Sequence, residues 1–216
     1  LLLIATIFFC TGDIQEDALI TFRTARNFAL HNQLSYNLGE TLPGSTSIVY
    51  GFYCGLIYKL FGFLGEKVFF FSVTILNSLF LGFGLLKFSK RFYFFNKFSI
   101  YLVLCSPAFI TLMHKGMETS LIAACLLYAI SILEKNIIES NFGSGFQYLI
   151  FFAIGSLRID SLVIAFLIIF PYFIIHLISN IDTKKKFSNL NKSIHAIKLP
   201  LIFTFLGFSC NIFFNK

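Results

Sequence analysis

The chain has 216 residues, of which 57% are hydrophobic, 19% aromatic and only 12% charged, and its mean hydropathy is +0.82. A soluble domain carries roughly a quarter charged residues and far fewer Phe than the 31 here, so composition excludes an ordinary soluble fold. The net charge of +7 lies in short loops between apolar stretches, where membrane topology gathers basic residues, and not on one soluble face as a nucleic-acid binder would have it.

The first ten residues are apolar, too short to span a bilayer, and carry no basic region or cleavage site of a signal peptide. They read as a truncated first membrane helix, and the whole as part of a longer protein. A polar segment, 11–46, follows. Apolar stretches then occupy 47–64, 68–86, 98–113, 117–133, 146–157, 161–179 and 197–214. Several match the roughly 17–19 residues needed to cross the hydrocarbon layer as a helix. The five cysteines, Cys10, Cys54, Cys105, Cys125 and Cys210, all fall in apolar stretches without metal-site or disulfide spacing.

Charge placement chooses between two topologies. If 47–64 lies along or dips into the interface, span 68–86 runs inward. The basic loops with Lys87, Lys90, Arg91 and Lys97, and with Lys184, Lys185, Lys186 and Lys192, are then cytoplasmic, and 11–46 is outside. If 47–64 crosses, every later loop inverts. The three glycines and Lys59 in 47–64 favour the first arrangement. The expected fold is therefore an all-α polytopic membrane protein with about six spans over 68–214 and an outer loop with juxtamembrane helices over 11–64.

Chemistry concentrates in that outer loop. Asp13, Glu16 and Asp17 stand at the exit of the first helix, before a helical pattern running from Asp17 to about Leu30. Glu16, Ile20, Arg23 and Asn27 share one side of that helix, with Arg26 beside them. Two readings fit. The acids cap an interfacial helix and the arginines anchor it to lipid headgroups; or a carboxylate at the membrane edge is a general base while the arginines grip a phosphate. Two further charged sites fall on the same outer face in the favoured topology: Glu118, which opens a span, and the turn with Arg158 and Asp160.

These segments carry a resemblance. Glu16-Asp17-Ala18, Ile20-Thr21, Arg23, Ala25, Asn27, then Tyr36-Asn37-Leu38-Gly39-Glu40 and Gly44-Ser45-Thr46-Ser47, resemble the first outer loop of a glycosyltransferase family. These are the polyprenyl-phosphate-sugar-dependent enzymes of the GT-C fold, in the branch that contains the mycobacterial terminal arabinofuranosyltransferase. Gly116-Met117-Glu118-Thr119-Ser120-Leu121 and Arg158-Ile159-Asp160-Ser161 resemble two further motifs of the family in the same order. The acidic pair is Glu-Asp where Asp-Asp is commoner, and Ile159 and Ser161 replace the Pro and Gly of the third motif.

The resemblance implies an inverting transfer of sugar from a polyprenyl-phosphate donor to a glycan, lipid or protein acceptor of the cell envelope. It implies a bacterial cytoplasmic membrane location with the active site on the outer face. Asp17 would be the general base, and Glu16 its partner, positioning the acceptor or a divalent cation if one is used. Arg23, Arg26 and Arg158 would meet the lipid phosphate; Asn27, Asn37 and Glu40 would shape the sugar pocket; Glu118 and Asp160 would be acceptor-site or structural carboxylates. The competing expectations are a polytopic transporter or flippase, which would place polar groups in mid-span where here only Asn77, Ser106-Pro107 and little else stand, and a non-catalytic remnant.

Overall fold

In the computed structural model the described residues are 15–40, 45, 47–92, 116–139, 148–158, 160, 163, 166–167, 169–171, 174 and 198–210. Among them all regular structure is helical. The elements that position the site are α1 (Glu16–His31), α2 (Ile48–Phe61) with a short 3-10 turn (Gly62–Leu64), and α3 (Glu66–Arg91). They are followed by α4 (Thr119–Glu139), α5 (Leu149–Leu157) and α6 (Lys198–Cys210).

Helix α1 buries Ala18, Thr21, Phe22, Thr24 and Ala25, positions three and four apart that make one stripe. It stops where Asn32 takes a left-handed conformation and its N–H closes onto the Phe28 carbonyl, a common helix ending for Asn. The buried stripe lies on α2. Gly55 is what lets it approach: a Cβ there would stand 2.5 Å from the Phe28 ring and 3.2 Å from the Ala25 carbonyl. Thr24 meets Gly51, Ala25 and Phe28 meet Gly55, and Asn32 meets Lys59, so the contacts advance together along both chains. Helices α1 and α2 therefore run parallel, and the loop between them doubles back. Phe22 then sets its ring edge-on to Phe69 and Phe70 of α3, at centroid separations of 5.2 and 5.5 Å.

Among the described residues α3 is the one helix long and apolar enough to cross a membrane, with 26 residues and a mean hydropathy of 2.0 over its most apolar 18-residue window. At 1.5 Å per residue it reaches roughly 39 Å, against a hydrocarbon thickness of about 30 Å. Leu79, Phe80, Phe83 and Leu86 lie on its exposed side. Its other side packs on α4 through a small-residue contact: a Cβ on Gly84 would stand 2.8 Å from the Ala124 carbonyl. Farther along, Arg91 pairs with Glu134 at 3.5 Å. Gly84 with Ala124, then Arg91 with Glu134, means that α3 and α4 also run parallel. Helices α5 and α6 meet at Gly155, set against the Thr204 carbonyl, and at Gly207, set against the Phe152 carbonyl.

The apolar stretches 68–86, 117–133, 146–157 and 197–214 overlap α3, α4, α5 and α6, of which α3 alone, among the described residues, has the length and hydropathy of a span. The stretch 47–64 is α2 and its 3-10 turn. Stretches 1–10 and 98–113, and most of 161–179, lie outside the described residues.

Candidate functional site

Three segments far apart in sequence meet at one end of α4. The hub is Tyr50 on α2, fully buried. Its hydroxyl donates to the Gly116 carbonyl at 3.0 Å and accepts from the Asn77 amide of α3, also at 3.0 Å. Gly116 holds φ +70° and has Phe22 and Phe70 within 3.1 Å of where a Cβ would be. A side chain there would pay both for the left-handed backbone and for displacing two rings. The loop before α4 is thus fixed from three sides, and with it Glu118. Nearby, the Ser47 hydroxyl donates to the Leu157 carbonyl, tying the start of α2 to the end of α5, just before Arg158.

Those clamps produce a cavity of about 270 Å³ lined by Asp17, Ile20 and Thr21 of α1, by Ser45, by Met117 and Glu118, and by Arg158. Glu118 is buried and lies 3.6 Å from the Arg158 guanidinium, which also pairs with Asp160 at 2.8 Å. Burial pushes the Glu118 carboxyl above its ordinary range; its own backbone N–H and Arg158 pull it back, and Asp160 and Asp17 push it up again. Asp17 faces the same cavity but is exposed. The Thr21 and Ser45 hydroxyls are 3.1 Å apart on its wall. An exposed carboxylate and a guanidinium braced by a buried carboxyl can together accept a proton and meet an anion.

The remaining residues expected at this site lie elsewhere. Arg23, Arg26 and Asn27 line a second cavity of about 530 Å³ between α1, α2 and the start of α3. There Arg26 pairs with Glu66 at 3.0 Å, and Arg23 stacks 4.2 Å above the Tyr36 ring while donating to Asn37 at 3.2 Å. The Asn27 amide donates to the Ser35 and Tyr36 carbonyls, both at 2.9 Å. Asn37 in turn donates to Glu40 at 2.8 Å. Arg23 and Asn27 thus fasten the 33–40 loop onto α1. Glu16 is exposed and lines neither cavity. Asp13, His114, Lys115, Ile159 and Ser161 lie outside the described residues. Among the described residues no three His, Cys, Asp or Glu side chains gather as metal ligands would.

Sequence reasoning missed the Tyr50–Asn77–Gly116 junction and the Thr21–Ser45 pair. Asn77 alone gave a signal, as an amide in the middle of an apolar stretch. No family model, no curated protein and no solved structure matches this chain.

Proposed function

We propose that this chain is a multi-span membrane glycosyltransferase, moving a sugar from a polyprenyl-phosphate donor to an envelope hydroxyl with inversion. The observation that carries the reading is the meeting of Asp17, Glu118 and Arg158 in one cavity, from three motifs spread over more than half of the chain. In this reading Asp17 takes the proton of the acceptor hydroxyl, because it is the exposed carboxylate and the acceptor arrives from solvent. The acceptor oxygen bonds to the anomeric carbon as the bond from that carbon to the phosphate oxygen breaks. The departing lipid phosphate carries its charge to Arg158, whose fork suits a phosphate. Glu118, held by Arg158 and burial, positions the guanidinium.

The donor phosphate is assigned to Arg158 and not to Arg23 or Arg26. Acceptor and leaving oxygens both lie within about 3.5 Å of the reacting carbon in a near-attack geometry. Arg23 and Arg26 stand six and nine residues beyond Asp17, a rise of roughly 9 and 13 Å along α1. They also open into a different cavity.

Membrane embedding rests on the length and hydropathy of α3 and on its outward row of Leu79, Phe80, Phe83 and Leu86. The parallel order of α3 and α4 supports more than one crossing. Gly116 stands level with Phe70, so the chain must return roughly 30 Å along α3 between Arg91 and Gly116. The test is a transfer assay on the full reading frame in membranes, with a panel of radiolabelled polyprenyl-phosphate sugars. Donor-dependent labelling that Asp17→Asn removes at unchanged protein abundance is the expected result. Absence of transfer from every donor by well-folded protein would return the chain to the transporter or remnant reading.

A further inference from the structure

The larger cavity shares no lining residue with the one behind Asp17, and the transfer chemistry leaves it unused. Its floor is Phe22, Phe69 and Phe70, with Leu19 and Leu30 on the wall, and its rim is polar. It is placed at the beginning of α3: Glu66 is at the rim, while Phe69 and Phe70 lie only about 5–6 Å further along the helix. The cavity thus passes from charge to aromatic surface within one helical turn, at the end of the candidate span. That is the profile of the boundary between headgroups and acyl chains, where an occupant is itself amphiphilic. At about 530 Å³ it is of a size that encloses a headgroup and the first carbons beneath it.

Charge fixes the kind of headgroup. Of the two guanidiniums on the rim, Arg26 is neutralised by Glu66. Arg23 is held in place by the Tyr36 ring and by one hydrogen bond to Asn37, and has no carboxylate within ion-pair distance among the described residues. The rim therefore offers one oriented positive charge. A single negative charge on tetrahedral oxygens, as in a phosphodiester, matches it.

We propose that this cavity seats a membrane phospholipid with a singly anionic phosphodiester headgroup, bound by Arg23 with its upper acyl carbons on Phe22, Phe69 and Phe70. The inference rests on the membrane placement of α3 given above, and is independent of glycosyl transfer.

The chain contains no Trp, so a single introduced indole reports on one place. Leu30→Trp puts the reporter on the cavity wall, with Leu38→Trp as a second wall reporter should the first fail to fold. Leu79→Trp puts it on the exposed side of α3. The full chain is reconstituted in vesicles of digalactosyldiacylglycerol, which has no phosphate, with a small fraction of chain-brominated phosphatidylglycerol or of chain-brominated digalactosyldiacylglycerol, and quenching is measured. The wall reporters should favour the anionic lipid about tenfold, the factor one charge-assisted hydrogen bond provides. Leu79→Trp should be quenched equally by both, and adding Arg23→Gln to a wall reporter should remove the preference. Equal quenching of the wall reporter by both lipids, or a preference that survives Arg23→Gln, overturns the proposal. Relief of the quenching by soluble glycerophosphoglycerol would also overturn it, making the site one for a free phosphodiester. If Leu79→Trp is quenched by neither lipid, the membrane placement itself falls, a result distinct from the others.

Discussion

The two cavities share α1 but hold their charges in opposite ways. Behind Asp17, the anchoring carboxyl is buried: Glu118 sits under Arg158, and the loop that carries it is pinned by Tyr50 and Gly116. Behind Arg23, every charged group is at the surface, and the Arg26–Glu66 pair is more than half exposed on both sides. Buried ion pairs are costly to break because the survivor is left uncompensated, whereas exposed pairs contribute little. One cavity is thus rigid at its base and suited to chemistry that needs fixed geometry. The other is rigid only in its aromatic floor, and suits an occupant recognised by one charge and by apolar surface.

Substitutions on the two sides should separate accordingly. The largest effect is expected from Asp17→Asn, which should lower initial transfer rates by about 10²–10⁴, the range of general acid–base contributions; a loss of protein in the membrane instead would mark Asp17 as a helix-capping residue. Arg158→Gln should raise the KM for the lipid donor by about 10–100-fold, the worth of a charge-assisted hydrogen bond. Unchanged KM with poor assembly would make it a structural partner of Glu118 alone.

Tyr50→Phe removes two hydrogen bonds from a buried junction and should cost about 1–3 kcal/mol in thermal or denaturant unfolding. It should also lower transfer by loosening Glu118. Glu118 supplies a pH dependence of defined direction. Its folded carboxyl titrates above the ordinary range, so its contribution is complete at low pH and is lost as pH rises through the folded value. Melting temperatures should therefore fall across that window for the natural chain and stay flatter for Glu118→Gln. The smallest effect is expected across α1: Glu66→Gln should change stability by no more than about 1 kcal/mol and leave transfer unaltered. A transfer defect there would join the two cavities functionally.

The helices were legible because their signals are local. The apolar run 68–86 is α3, and Glu118 does open a helix. The charge pattern also placed Asp17, Glu118 and Arg158 on one face, and they line one cavity. What the sequence hid depends on partners far along the chain. The separation of Arg23 from Asp17 turns on which side of α1 Gly51 and Gly55 occupy. Asn27 looked available for a ligand, but its amide is taken by the Ser35 and Tyr36 carbonyls of a loop whose return path has no periodic signature. Tyr50 is one aromatic among many until Asn77 and Gly116 close around it.

The parallel order of α3 and α4 has a consequence for how the protein is made. Neighbours joined by a short turn dock as a hairpin while still leaving the ribosome. Helices α3 and α4 are denied that route, since the far end of one must be connected to the near end of the other. The seam at Gly84 and Ala124 can close only after the intervening 25 or so residues have been threaded back. Until then α3 stands with a glycine-notched flank unsheltered and open to the wrong companion.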